Sequence, residues 1–377
     1  ISNYTQQISI WEQETFYALQ DIIIIGAGFT GLWTALYLRQ LFPSKKITVV
    51  ERGVTPAGAS LRNAGFACFG SATEILADID SMGSEKALQL VSMRFEGLRI
   101  IQKILAAAPI DFTICKGYEL LADEQKLARL SVLNEWLYLI TGSPDTFTLA
   151  DDKIESFGFG GISHLIENRF EGSLHSGKLL NSLWQLAVRT GVQFLFATEI
   201  KEVDERSNRV RLVTQNGPDL YATQIVYCTN AFSAQLLPQV DLVPARGQIL
   251  LTAPVPDLKF NGTFHCEEGY YYFRNMGDRI LLGGARNTSF QTEYTLDAFP
   301  TLPIQQALER FLSTVVLPGQ QPQIEQRWAG IMAMGNEKMP IVEQLTTRSF
   351  CALRLGGMGV ALAPVVGRTV AELMRKG

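Results

Sequence analysis

The densest apolar run in the chain, Ile22–Ile25, stops at Gly26, and the apolar positions that follow repeat with helical spacing as far as Leu41. A β-branched run closed by glycine reads as a strand buried on both faces, and the change of period marks a helix start. The pattern predicts a helix over Thr30–Leu41, an exit at Pro43 and a second strand over Ile47–Glu51. Further helical patterns run from Ser84 to about Ala107, from Asp123 to Leu139, from Ser176 to Thr190, from Pro303 to Val315 and from Val360 to Arg375. Strand patterns occur at Gly117–Ala122, Val192–Ala197, Gln224–Cys228 and Phe350–Leu355, with a small antiparallel accessory sheet expected from Val203–Asp204, Val210–Thr214 and Leu220–Ala222. From Gly247 the alternation becomes that of antiparallel strands, Gln248–Thr252, Tyr270–Arg274 and Ile280–Gly284, with a turn at Asn275–Asp278.

The two kinds of pattern interleave. The expected fold is α/β: a Rossmann-like nucleotide domain assembled from residues 20–90, 165–235 and 326–377, interleaved with an antiparallel-sheet α+β substrate domain from 91–164 and 236–325. Residues 1–19 form an arm or short helix, with Trp11, Phe16 and Tyr17 expected to tie it to the body.

Composition narrows the partners. Of 377 residues, 47% are hydrophobic and 19% charged, enough for large cores. The net charge of −4 comes without a Lys/Arg-rich run, so no nucleic-acid footprint is expected. Five scattered cysteines without a CxxC read as reduced thiols of a cytoplasmic protein. His164, His175 and His265 lie far apart, so no metal cluster is expected. Ile22–Leu38 is apolar but interrupted by glycines, which argues against a transmembrane segment, and no basic region with a cleavage site precedes it.

Candidate chemistry begins at Gly26-x-Gly28-x-x-Gly31, placed between strand and helix, with Glu51 twenty positions after the last glycine. Gly26 permits the tight turn, Gly28 lets backbone approach a pyrophosphate, and Gly31 lets helix and strand pack closely. The helix N-terminus at Phe29 and Thr30 offers unpaired N–H groups to phosphate. Glu51 can accept hydrogen bonds from ribose hydroxyls, which favours a dinucleotide without a 2′-phosphate.

The motifs GAGFTG, VVER, GASLRNAGF (Gly58–Phe66), EGSLHSGKL (Glu171–Leu179), YCTNAFS (Tyr227–Ser233), PARGQI (Pro244–Ile249), YYYFRNMGDRILLGGA (Tyr270–Ala285), RWAGIMAMGNEKMPIV (Arg327–Val342) and GGMGVALAPVVG (Gly356–Gly367) follow in order. On these motifs the chain resembles the FAD-dependent oxidoreductases of the D-amino-acid oxidase superfamily, particularly glycine/sarcosine oxidase-like and gamma-glutamylputrescine oxidase-like proteins. The resemblance implies FAD, bound by the three glycines with Phe29, Thr30, Glu51 and Arg52. It adds Ser60, Arg62, Asn63, Ala64, Gly65 and Phe66 from the loop, then Val203, Thr229, Asn230 and Gly330. Gly357, Met358, Gly359, Val360 and Ala361 would bring the last helix's N-terminus toward the flavin's pyrimidine end, where a positive dipole stabilises the anionic reduced form. The implied reaction is oxidation of an amine or amino-acid C–N bond by hydride transfer to flavin N5, giving an imine that hydrolyses. Electrons then pass to oxygen or another acceptor, so an oxidase and a dehydrogenase both stand. A flavin-binding structural or regulatory protein and an oxidoreductase acting on a modified nucleic-acid base are the competing classes.

The chain departs from the family pattern at three places. A carboxylate-binding arginine would fall at Met332 and a second polar position at Gly357 or Met358, none of which carries a side-chain donor. The oxygen-activating lysine would fall near Leu281. These departures fit a larger or less charged amine better than glycine or sarcosine. The substrate pocket is expected from Tyr270, Tyr271, Tyr272, Arg274, Met332 and Met358, although strand aromatics also serve simply as packing. Tyr270 and Tyr272 share a strand face with Arg274, whereas Tyr271 shares the other with Phe273. His175 reads as a structural hydrogen-bonding residue and Cys68 as a small buried thiol.

Overall fold

The computed structural model describes residues 8–206 and 208–376; residues 1–7 of the expected arm and residue 377 lie outside them. Two eight-stranded sheets dominate. The first runs in the order Ile341–Gln344, Ser349–Leu353, Leu220–Tyr227, Gln20–Ile25, Ile47–Val50 and Gln193–Leu195. Its core pairings are parallel: Gln20–Ile25 lies between Ile47–Val50 and Leu220–Tyr227. Ile22, Ile23 and Ile24 are fully buried there, as a strand covered by helices on both faces requires. Leu220–Tyr227 is one continuous strand: its start pairs antiparallel with Val210–Thr214 and its end parallel with Gln20–Ile25. Its two expected segments are thus a single element.

Three helices meet by close backbone approach. Phe29–Leu41 packs on Gly359–Lys376, where a Cβ on Gly367 would lie 2.8 Å from the Thr34 nitrogen. Ser84–Ile104 packs on the same helix, where a Cβ on Gly97 would lie 1.7 Å from the Ala361 carbonyl oxygen. The helix Ala72–Met82 lacks a counterpart in the periodicity reading; Ser71 caps it by accepting from the Glu74 N–H.

The second sheet runs Ile324–Met334, Val243–Thr252, Arg279–Gly284, Tyr271–Met276, Thr263–Cys266, Gly117–Leu121, His164–Asn168 and Phe147–Leu149. The expected turn is a two-residue hairpin loop, Gly277-Asp278, with Met276 opposite Arg279. Boundaries at 165 and 326 fall inside His164–Asn168 and Ile324–Met334, both strands of this sheet. One sheet face carries Phe264 and Phe273, stacked with centroids 4.7 Å apart, against Phe159, Phe260 and Phe311. The other face turns toward the first sheet.

The helix Ile10–Thr15 has no buried residue, and Trp11 is 75% exposed. The expected tie through Trp11 is therefore corrected: the helix is held by its Ser9–Glu12 capping box, while Tyr17 packs against the first sheet's core.

Behind the second sheet, Glu293 is 1% exposed and accepts from Arg246 at 2.7 and 2.9 Å and from Gln248 at 2.9 Å. Removing one partner strands a buried charge. Glu293→Ala is expected to lower stability by about 3–5 kcal/mol in urea denaturation. A loss below about 1 kcal/mol, the level of an exposed pair, would contradict this reading.

Candidate flavin and substrate site

An elongated cavity of about 410 Å³ runs between the sheets, from the C-terminal end of Gln20–Ile25 to the Tyr272 face. Gly26 turns the chain at φ +109°, and a Cβ there would lie 2.8 Å from the Cys228 carbonyl oxygen. The helix Phe29–Leu41 opens at Gly28, which offers no side chain to cap it, and Phe29 N donates to Ser60 Oγ at 2.9 Å. The N–H groups that follow, with no Cβ on Gly28 in the way, form an anion cradle. At the end of the second strand the Glu51 carboxylate accepts from Ala27 N and Gly53 N, both at 3.0 Å, and faces the cavity. A second helix N-terminus, Gly359–Lys376, opens into the same cavity behind Gly356 and Gly357, both at positive φ. Two open helix ends and a carboxylate along one elongated cavity suit a dinucleotide.

The loop 58–66 is pinned at several points. Asn63 donates to the Ala59 and Ser60 carbonyls and accepts from Gly65 N and Ser176 Oγ. A Cβ on Gly330 would lie 2.6 Å from Arg62 Cβ, and the Trp328 indole donates to the Arg62 carbonyl at 3.2 Å. Arg52 lies over the Phe232 ring, 3.7 Å from its centroid.

Of the residues expected to hold FAD, Gly26, Gly28, Phe29, Thr30, Glu51, Arg52, Ser60, Arg62, Asn63, Ala64 and Phe66 line this cavity. So do Thr229, Asn230, Gly330, Gly357, Met358, Gly359, Val360 and Ala361. Gly31 does not: it faces Gly26, whose carbonyl oxygen would be 1.9 Å from its Cβ. Gly65 is likewise set back, its carbonyl accepting from Arg274 at 2.9 Å. Val203 packs into the first sheet's core, and the cavity wall on that side is Thr198–Ile200.

At the substrate end, Tyr270, Tyr272, Met332 and Met358 line the cavity, but Tyr271 and Arg274 do not. Tyr271 is corrected by strand parity: it stacks on Phe311 at 4.4 Å behind the sheet. Arg274 shares the Tyr272 face but is consumed as a clamp, donating to the Gly65 and Leu174 carbonyls. Leu281 sits in an apolar cluster with Ala64, Ile249 and Leu251. His175 caps its helix by accepting from Lys178 N at 3.2 Å.

Two groupings escaped the sequence reading. Arg286 follows Ala285, which holds φ +60° at the strand exit, and enters the cavity wall beside Tyr272. Its guanidinium stands 5.1 Å over the Phe290 ring and has no carboxylate partner among the described residues. Burial pushes the Tyr272 hydroxyl up to about 12, while the Arg286 charge works the other way, so the phenol is a neutral donor near neutral pH. The other basic side chains lining the cavity near this end are engaged: Lys338 with Asp78, and the His265 ring with Glu171 at 2.5 Å.

The second grouping surrounds His265. Cys68, Glu171 and His265 bring a sulfur, an oxygen and a nitrogen within 4.8 Å of one another, although they are distant in sequence. Burial, with Glu171 and Glu74 adding to it, holds the Cys68 thiol well above its ordinary range, so it is neutral. Glu119, opposite His265 across the strand pair, accepts from Ser71 Oγ, Thr73 N and Thr73 Oγ1. Burial still raises its carboxyl above the usual value. Burial also opposes charge on Glu74, but Arg94, Lys338 and His265 outweigh it and hold the carboxyl low.

No helix among the described residues is long and apolar enough to cross a membrane. The family model described as FAD dependent oxidoreductase matches residues 21–373. A probable oxidoreductase of Haemophilus influenzae, OrdL, is 26% identical over 93% of this chain and 82% of its own length. The gamma-glutamylputrescine oxidoreductase of Escherichia coli is 24% identical over 94% of this chain and 83% of its own length. Among solved structures, L-proline dehydrogenase from P. horikoshii superposes with a TM-score of 0.79 at 18% identity, covering 96% of this chain and 94% of the other. Glycine oxidase from Geobacillus kaustophilus gives 0.77 at 19%, covering 95% of each. The chain belongs to the FAD dependent oxidoreductase (DAO) family and is an FAD-dependent oxidoreductase.

Proposed function

We propose that this enzyme oxidises the C–N bond of an amine that also carries a carboxylate. The observation that supports this most directly is that Tyr272 shares the cavity wall with Arg286, a cation without a carboxylate partner among the described residues. A guanidinium takes a carboxylate bidentately, and the neutral phenol adds a donor. Met332, Gly247 and Met358 give the neighbouring wall no charge, which suits the desolvated carbon to be oxidised. FAD, when bound, supplies the two-electron acceptor for that oxidation. Names of relatives agree in class: gamma-glutamylputrescine oxidoreductase and D-amino acid dehydrogenase.

The test is anaerobic reduction of the FAD-bound protein by a panel of amino acids, N-alkyl amino acids, gamma-glutamyl amines and decarboxylated counterparts. Carboxylate-bearing amines are expected to bleach the flavin about 10²-fold faster than their decarboxylated partners, the worth of one buried charge-assisted contact. Equal rates would remove Arg286 from recognition, and no bleaching by any amine would overturn the reading. Rapid recovery in air identifies oxygen as acceptor, and slow recovery a separate carrier.

A further inference from the structure

We propose that His265 is the proton acceptor for the substrate's ammonium group, with Glu171 as the positioning residue that steadies the imidazolium formed. This rests on the amine reading above. An amine enters largely as the ammonium ion near neutral pH, and its nitrogen must shed a proton before the adjacent C–H bond can be oxidised. The step is a proton transfer alone: an N–H bond of the substrate breaks, a bond from that proton to the ring forms, and no electrons change hands.

The geometry singles out His265. It lies on the cavity face of the second sheet, directly opposite Tyr272 across one strand pair and Glu119 across the next. It lines the cavity although only 5% exposed, and its ring packs edge-on to Phe66 of the cofactor loop at 5.3 Å. Nε2 bonds to Glu171 at 2.5 Å, while Nδ1 has no hydrogen-bond partner among the described residues. Glu171 is 1% exposed and is itself fixed by the Thr263 hydroxyl at 2.9 Å. A ring held at one nitrogen by a buried carboxylate and unbonded at the other is arranged to take up a proton and keep its orientation.

The surroundings set the direction of the titration. Burial works against charge on the ring, but Glu171, then Glu119 and Glu74, outweigh it and raise His265 above its ordinary 6.5. The other groups facing this region are neutral or paired. Cys68 is a neutral thiol and Tyr272 a neutral phenol, Arg94 is bonded to Glu74, and Lys338 is bonded to Asp78. A base raised by a carboxylate is competent above its own pKa, so amine-dependent reduction should climb with pH through the His265 titration. Glu171→Gln removes one negative charge while keeping an oxygen for Thr263, so it must move that titration to lower pH.

With three histidines in the chain, ¹⁵N-histidine labelling of the FAD-bound protein separates three imidazole titrations, and His265→Gln identifies the third. In the unsubstituted protein the acid limb of anaerobic reduction should coincide with the His265 titration. Glu171→Gln should shift both downward together by about one to two pH units. His265→Gln should retain FAD and slow reduction by roughly 10²–10³-fold near neutral pH. A limb that stays in place while the imidazole titration shifts, or that differs from it in the unsubstituted protein, overturns the assignment. Loss of reduction by every amine at every pH in the unsubstituted protein overturns the amine reading itself, while the imidazole titration still reports the Glu171 pairing.

Discussion

Gly31→Ala is expected to leave the protein unable to fold around FAD. A Cβ at this position would lie 1.9 Å from the Gly26 carbonyl oxygen and 3.0 Å from its carbon. Both contacts are with backbone, so no rotamer change relieves them. Gly26 cannot retreat: its own virtual Cβ is already 2.8 Å from the carbonyl oxygen of Cys228, just past the end of the strand Leu220–Tyr227. The helix must therefore lift from the strand, which opens the core around Leu32 and Trp33 and displaces the helix N-terminus from the phosphate position. The expected cost exceeds about 4 kcal/mol, the range reserved for core disruption. Thermal denaturation and bound-flavin absorbance read it, and a variant with full FAD content and an unchanged Tm would show that the close approach is dispensable.

Arg286→Met is expected to reduce kcat/KM for the carboxylate-bearing amine by about 10²–10³-fold, or roughly 3–4 kcal/mol of transition-state binding. The side chain reaches the cavity from a short turn and makes no hydrogen bond among the described residues, so FAD content and Tm should change little. Its removal leaves Tyr272 as a lone donor to the carboxylate. The preference for carboxylate-bearing over decarboxylated amines should collapse toward unity, and Arg286→Lys should restore part of it, since an ammonium keeps the charge but loses the bidentate fork. A preference that survives Arg286→Met would place carboxylate recognition elsewhere. Cys68 and His265, with Glu171 behind the ring, then remain as polar groups at the cavity wall.

What the sequence determined is the part of the protein whose physics is local. Ile22–Ile25, the three glycines and Glu51 form one contiguous unit, and each residue's role follows from chain geometry within about thirty positions. The long helices and the glycine-rich turn before the last helix are local in the same sense. Strand parity also separated Tyr272 from Tyr271 in advance, although only the packing of Tyr271 on Phe311 showed which face meets the cavity.

Tertiary structure decided what long-range pairing creates. Leu220–Tyr227 became one strand because it has different partners along its length. Ile324–Met334 joined the second sheet by pairing with Val243–Thr252, a partner some eighty residues away. Cys68 and Glu171 meet because Phe66–Ala67 pairs with Gly172–Ser173, and His265 reaches them from the separate strand Thr263–Cys266. Arg274 and Arg286 are both arginines near one hairpin. One is spent on backbone carbonyls and the other is left facing the cavity, a difference set by where each side chain finds acceptors, which no spacing along the chain encodes.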